Sequence, residues 1–363
     1  MKVAILIDTW FPFVGGGQIN AWEISKRLAE ASYKVEIITR NCGQDNLENV
    51  KNLKLIKLGK SSKANDDIAR VKYLWQTSIY VNRNKFDLVI AHAFLPGLIA
   101  KLYMIVKKKP AILVVHGTSV GTNLNHGIKA LLEKIILTKI KYSAQITVSR
   151  DFLEIKNINK NIVYIPNGVN KIFFKSDPSM KREKNALLFV GRLHTQKNLI
   201  NLIEAMKLLN KENSFAKLTI IGDGPQKQEI LGLIKKYKLE GKIKLEGFKH
   251  SLELVKYFRS SSVFILPSTY EGQALTLLEA WASGLPVIVS KTGDNKYLVK
   301  EGINGFFIRN QTEPKSIAQT IKNALLDKKL SKLGQNGHLF VKNNFSWELS
   351  AQKTSLLIST IKK

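Results

Sequence analysis

The chain has 363 residues, 44% of them hydrophobic, which is too long for one compact core, suits two domains, and argues against disorder. Its formal charge of +29, mostly lysine, calls for an acidic partner (nucleic acid, an anionic membrane surface or phosphorylated substrates), unless a general bias toward Lys, Asn and Ile has spread it without function. One cysteine, Cys42, excludes an intrachain disulfide and a cysteine-rich zinc site, and with no membrane-length apolar run and no signal-like N-terminus a cytoplasmic location is expected.

Lys2 to Asp8 reads as a first parallel strand. The loop after it carries Gly15-Gly16-Gly17 and leads into an amphipathic helix over Ile19–Glu30. Strand, glycine-rich loop and helix is a layout that lets backbone N–H groups approach a phosphate, although three glycines also make an ordinary turn and the spacing is not G-x-G-x-x-G. Strands are predicted at Lys34–Thr39, Leu53–Leu58 and Phe86–Ala91, with a long helix over Ile68–Asn82. A helix over Leu98–Val106, a strand Ala111–Val115, a helix Gly127–Tyr142 and strands Gln145–Ser149 and Ile162–Ile165 follow. Such alternation indicates a doubly wound parallel sheet, whose ligands gather beyond the C-terminal strand ends, where His92 and His116 fall. A lone histidine there is more often structural, and His92 is read so. Lys101–Lys109 and Lys129–Lys141 are cationic and apolar together. Each fits a core helix with a solvated lysine face, or a helix lying on anionic headgroups at the inner face of a membrane.

Pro166-Asn167-Gly168-Val169-Asn170 is a turn followed by a lysine-rich stretch to Asn185, and it sets the domain limits: 1–167, 168–345, and a terminal segment 346–363. The second set of elements opens with a strand over Ala186–Val190, ending in Gly191-Arg192-Leu193-His194-Thr195-Gln196-Lys197-Asn198 and a helix over Leu199–Leu209. Arg192 and Lys197 then sit at a strand end and a helix N-terminus, one offering a planar fork to phosphate oxygens and the other a point charge. A strand over Lys217–Ile221 runs into Gly222-Asp223-Gly224-Pro225; strand Lys242–Phe248, helix Leu252–Arg259 and strand Val263–Leu266 come next. The stretch from Pro267 to Val287 reads as loop and helix, with Glu271 at the helix start and Glu279 eight residues on. Two helical turns, roughly 12 Å of rise, would separate these acids on one side, a span that fits the two ends of a nucleotide sugar. An ionised carboxylate can accept both hydroxyls of a diol. Either acid alone also has an ordinary reading, as a dipole-complementing residue or a surface charge.

Two acids eight apart, preceded by Pro267-Ser268 and followed by Ala280-Trp281-Ala282-Ser283-Gly284-Leu285-Pro286-Val287, resemble the E-x7-E signature of retaining glycosyltransferases of family 4, the group 1 glycosyl transferases. The resemblance runs from the first strand to about Gly305. It implies an α/β chain of the GT-B fold, with two facing Rossmann-like doubly wound domains, an interdomain cleft, and a last helix that crosses back to the first domain. It also implies that Glu279 holds the ribose, Glu271 the sugar hydroxyls, and Arg192 with Lys197 the diphosphate. Gly16 and Gly17 would supply backbone contacts, and His116 would orient the donor sugar. Gly191, Gly222, Gly224, Gly272, Gln273, Ala274 and Leu275 would complete the donor site.

Three departures are visible: Asn170 replaces the usual aspartate, Gln273-Ala274 replaces Phe-Gly, and Gly293-Asp294-Asn295-Lys296-Tyr297 stands where Gly-Gly-x-Pro-Glu is usual. No Asp-x-Asp occurs, so no metal is expected and the two cations would neutralise the leaving diphosphate. No cofactor is expected beyond a nucleoside diphosphate sugar as co-substrate, and the acceptor would be a hydroxyl of a glycan, a lipid-linked molecule or a small molecule. The rival readings are a nucleotide-sugar epimerase or phosphorylase on the same plan, and a basic nucleic-acid-binding protein, for which none of the common motifs is present.

Overall fold

The computed structural model describes residues 1–44, 47–63, 66–117, 128–155, 159–175, 181–212 and 214–361. Gly127, the expected start of one helix, and residues 176–180 of the lysine-rich stretch lie outside the described residues. The chain divides into two compact units, Met1–Asn167 with Trp347–Lys363, and Gly168–Ser346.

The first unit begins with β1 (Lys2–Ile7), α1 (Gly16–Glu30), β2 (Lys34–Arg40) and β3 (Leu53–Leu58). It continues through α2 (Asp67–Arg83), β4 (Leu88–His92), α3 (Phe94–Lys107), β5 (Ala111–Val115), α4 (Ile128–Lys139), β6 (Ala144–Thr147) and β7 (Ile162–Tyr164). The seven strands are parallel in the order β3-β2-β1-β4-β5-β6-β7. Central strands such as β4 and β5 are buried at every position, which explains why they read as unbroken apolar runs rather than alternating ones. The Asp66 carboxylate caps α2 by accepting from the Ala69 amide at 2.9 Å.

The second unit holds β8 (Ala186–Val190), α5 (Leu199–Lys211), β9 (Lys217–Ile221), α6 (Lys227–Lys236), β10 (Ile243–Leu245), α7 (Ser251–Ser260) and β11 (Val263–Leu266). It ends with α8 (Leu275–Ala282), β12 (Val287–Ser290), α9 (Asn295–Leu298), β13 (Gly305–Ile308), α10 (Pro314–Leu326) and α11 (Leu330–Asn344). Its six parallel strands are ordered β10-β9-β8-β11-β12-β13. Trp281 of α8 anchors the core: its indole donates to the Asn304 carbonyl at 2.8 Å, and α11 packs on the ring at Gly337, where a Cβ would fall 2.0 Å from it.

After Ser346 the chain enters α12 (Trp347–Ile361), which belongs to the first unit and packs on α1. The Tyr33 and Ser355 hydroxyls are hydrogen-bonded at 2.9 Å, and Ser350 donates to the Pro166 carbonyl at 2.6 Å. Both sheets share one topology, in which strand order reverses between β1 and β4 and again between β8 and β11. At such a reversal the loops leaving two neighbouring strands diverge, and the crevice beyond their C-terminal ends is where ligands bind. Among the described residues no helix is long and apolar enough to cross a membrane.

Candidate functional site

In the second unit, the reversal point lies between the loops that follow β8 and β11. Past β8, the Gly191 amide donates to the Ile221 carbonyl at 3.0 Å and the Leu193 amide to the Asp223 carbonyl at 2.9 Å, which zips this loop to the one after β9. Such closeness requires glycine: a Cβ on Gly222, whose φ is +141°, would stand 1.9 Å from the Gly191 carbonyl oxygen, and one on Gly224 would stand 2.4 Å from that of Leu193. These glycines therefore set the backbone that presents Arg192. Its side chain is exposed and makes no hydrogen bond or ion pair among the described residues.

A single 3-10 turn, Thr195–Lys197, follows, capped by the His194 ring accepting from the Gln196 amide at 3.3 Å. Removal from water, then the Arg192 and Lys197 charges, lower the His194 pKa. Gln196 ties this turn to the loop after β11. Its carbonyl accepts from the Thr269 amide at 2.9 Å, and its side-chain amide donates to the Tyr270 carbonyl at 2.8 Å. The result brings Lys197 Nζ to 2.5 Å from Glu271 Oε1, and the Ser268 hydroxyl donates to the same oxygen at 2.5 Å. Glu271 is 5% exposed. A buried carboxylate needs a cation and a hydrogen-bond donor, and Glu271 has both.

Glu271 does not start a helix, as the spacing had predicted; α8 begins four residues later at Leu275. Backbone bonds from neighbouring loops claim residues 269–272 first, including one from the Asp294 amide to the Gly272 carbonyl at 3.0 Å. The two-turn helical rise between the acids therefore does not apply. Gln273 is buried and donates to Asp294 Oδ2 at 2.9 Å, while Ala274 and Leu275 lead into α8. Gly293 closes the loop from behind: its φ is +51°, and a Cβ there would stand 1.5 Å from the Glu271 carbonyl oxygen. Glu279 lies on α8, half-buried, and loss of water pushes its carboxyl up to about 7. Ser268, Gln196 and Asp294 are the supporting residues that sequence reading missed. Only Ser268 left a signal, as part of the Pro-Ser pair ahead of the acids.

In the first unit, Gly16 and Gly17 form the first turn of α1 rather than a loop before it. A Cβ on Gly17 would lie 3.4 Å from Cδ2 of His116. His116, beyond β5, is bonded through Nε2 to Nδ1 of His92 at 2.9 Å, with the rings 15° from parallel. His116 Nδ1 is buried and has no partner among the described residues. Burial lowers the His116 pKa to about 4, and burial followed by the His116 charge lowers that of His92. Both rings are neutral at pH 7. His92, read from sequence as structural, thus holds the one imidazole of this unit with an expected role. Among the described residues no three His, Cys, Asp or Glu side chains are grouped to hold a metal ion.

Two doubly wound sheets with glycine-shaped turns at their reversal points make this a chain of the GT-B fold. A sucrose-phosphate synthase from Thermosynechococcus elongatus superposes with a TM-score of 0.86, covering 99% of this chain and 98% of that one at 21% identity. The family model for Glycosyl transferases group 1 matches residues 170–339, and that for Glycosyltransferase Family 4 matches residues 14–171. The chain belongs to glycosyltransferase family 4 and is a glycosyltransferase. It is 25% identical to alpha-monoglucosyldiacylglycerol synthase of Acholeplasma laidlawii over 86% of each protein. To the UDP-Gal:alpha-D-GlcNAc-diphosphoundecaprenol alpha-1,3-galactosyltransferase of Escherichia coli it is 26% identical over 73% of each.

Proposed function

We propose that the protein transfers a sugar from a nucleoside diphosphate sugar to a hydroxyl of a glycan or lipid-linked acceptor, with retention at the anomeric carbon. The observation that carries this reading is the Lys197–Glu271 pair, held at 2.5 Å where the sheet of the second unit reverses, with Arg192 on the same short loop. An ammonium has three protons, so Lys197 can keep Glu271 and still donate to a phosphate oxygen. Arg192 adds a planar fork for a second oxygen.

In the reaction, the bond between the anomeric carbon and the diphosphate breaks while one forms to the acceptor oxygen. Arg192 and Lys197 stabilise the negative charge that builds on the leaving phosphate. That phosphate oxygen takes the acceptor proton on the same face of the sugar, so no protein nucleophile is required. Glu279 accepts from the ribose diol, and Glu271 orders the sugar hydroxyls together with Ser268. The two cations act in place of a divalent ion, so a chelator leaves turnover unchanged. The lipid parts of the two relatives' names, diacylglycerol and diphosphoundecaprenol, support a lipid-linked acceptor here.

A melting screen across uridine, guanosine and adenosine diphosphate sugars tests this, because a ligand that binds only the native state raises its melting temperature. One nucleotide class is expected to stabilise the protein and to be turned over without added orthophosphate. Absence of any shift with all three would overturn the reading.

A further inference from the structure

In the first unit, α2 packs against α3 and α3 against α4, so the three helices form one layer. Each buries one side. α2 turns Tyr73, Thr77 and Val81 inward, and α3 turns Pro96, Gly97, Ala100 and Tyr103. Each also carries apolar side chains on the outside. On α2 these are Ile68, Val71 and Trp75, the last 66% exposed. Their spacing of three and four residues puts them on one stripe. Leu98, Leu102 and Ile105 repeat the pattern on α3, and Leu131 and Ile135 do so on α4. These three helices hold ten of the 21 exposed large hydrophobic side chains among the described residues, so the apolar surface is a patch rather than scatter.

The charge around it has one sign. The three helices carry eight lysines and arginines against two acids, Asp67 and Glu133. Lys72, Lys107, Lys134 and Lys139 are exposed, and α3 continues into the exposed Lys108 and Lys109. Lysine is depleted from protein–protein interfaces, whereas an anionic headgroup layer attracts it while its methylene stem lies along apolar surface. A tryptophan at the rim is what a membrane–water boundary favours.

We propose that the outer face of α2, α3 and α4 docks on an anionic lipid bilayer, with Trp75, Leu102 and Ile105 in the headgroup layer and the lysines around them against lipid phosphate. This does not rest on the transfer reaction, so a failed vesicle test leaves that reading standing.

The test uses the whole chain and vesicles of phosphatidylcholine with or without phosphatidylglycerol, at low salt. The protein is expected to sediment with the anionic vesicles and to be released by high salt. Trp75 is a built-in probe, since Trp10, Trp281 and Trp347 are buried and Trp22 is partly covered. A blue shift of emission with anionic vesicles is expected, and Trp75→Phe is expected to abolish it. Leu102→Ser with Ile105→Ser is expected to cut the partition at least about tenfold with only a small fall in melting temperature, since the two side chains are 44% and 62% exposed in the native state. Lys134→Gln and Lys139→Gln are each expected to cut it about fivefold. The proposal is overturned if no protein sediments with anionic vesicles at low salt, or if neither pair of substitutions changes the partition. A concentration-dependent dimer that Leu102→Ser and Ile105→Ser dissolve, without vesicle binding, would assign the face to a second copy and overturn it equally.

Discussion

Lys197 donates to Glu271 at 2.5 Å across 74 residues of sequence, and Ser268 donates to the same carboxylate oxygen. The pair joins the loops leaving β8 and β11, so it fixes the geometry of the reversal point and supplies its charges together. Removing either partner therefore has two effects, one on folding and one on chemistry, and these can be separated.

Lys197→Ala leaves a buried carboxylate with a hydroxyl donor but no cation. Turnover of the nucleotide sugar is expected to fall about 10²-fold or more, the cost of losing one electrostatic donor to a transition state. The melting temperature is expected to fall as well, because the remaining charge is uncompensated. Adding Glu271→Gln removes that charge and is expected to restore much of the melting temperature but none of the turnover. Near-normal activity in Lys197→Ala would remove Lys197 from the mechanism.

Glu279 gives a dependence on pH. Its carboxyl has an ordinary value of 4.5 and is pushed up to about 7 by burial. Between those values the folded state holds a proton that the unfolded chain has released, so stability falls as pH rises from 4.5 through 7. Glu279→Gln is expected to melt higher than the parent at pH 8, with the gap closing toward pH 5. Nucleoside diphosphate binding should move the opposite way. The ionised form accepts both ribose hydroxyls, and the substitution is expected to weaken affinity about tenfold or more at pH 8 and less at pH 6, as calorimetry would read it. Equal affinities of the two proteins at pH 8 would remove Glu279 from the ribose.

Much of the fold was legible because parallel strands covered on both faces write themselves as apolar runs, as in β4, β5, β8 and β11. The site was legible in its residue types but not in its joints. Glu271 was placed at a helix start because Leu275 to Ala282 is a good helix and nothing in the local sequence marks where it begins. The helix is delayed to Leu275 by bonds from Gln196 and Asp294, residues far off in the chain. Conversely, α1 begins on Gly16 and Gly17, poor helix formers, and a Cβ at Gly17 would rest in van der Waals contact with the His116 ring. The short β13 went unread because Gly302 and Gly305 crowd the approach to its two phenylalanines and the run is only four residues long. Pairing of His92 with His116 has no signal along the chain, since it depends on β4 and β5 being neighbours.

That histidine pair predicts acid sensitivity. Burial holds His116 neutral down to about 4 and lowers His92 also, whereas the unfolded chain takes up protons from about 6.5 downward. The unfolded state binds more protons in that window, so stability is lost as pH falls from 6.5 toward 4. His116 alone accounts for a loss on the order of 3 kcal/mol. The double variant His92→Asn, His116→Asn is expected to start less stable at pH 7 and to lose less on acidification, as urea titrations at pH 7 and pH 4.5 would show. Parallel losses in the two proteins would mean that other groups drive the acid response.

Two glycines of the second unit are expected to respond to alanine with opposite signs. Gly232 lies inside α6, where a Cβ meets nothing within 4 Å, so Gly232→Ala is expected to stabilise by about 0.5–1 kcal/mol through backbone entropy alone. Gly293 has a φ of +51°, and a Cβ there collides with the Glu271 carbonyl at 1.5 Å. Gly293→Ala is expected to destabilise by more than about 1 kcal/mol and, by displacing the 271–273 loop, to reduce turnover as well. Urea midpoints measure the first effect and initial rates the second. The rates carry the information about the site, because Gly293→Ala requires the Glu271 backbone to move. If Gly293→Ala lowered the midpoint yet kept parental turnover, the position of Glu271 would not limit the reaction, and the role given to that carboxylate would have to pass to another group.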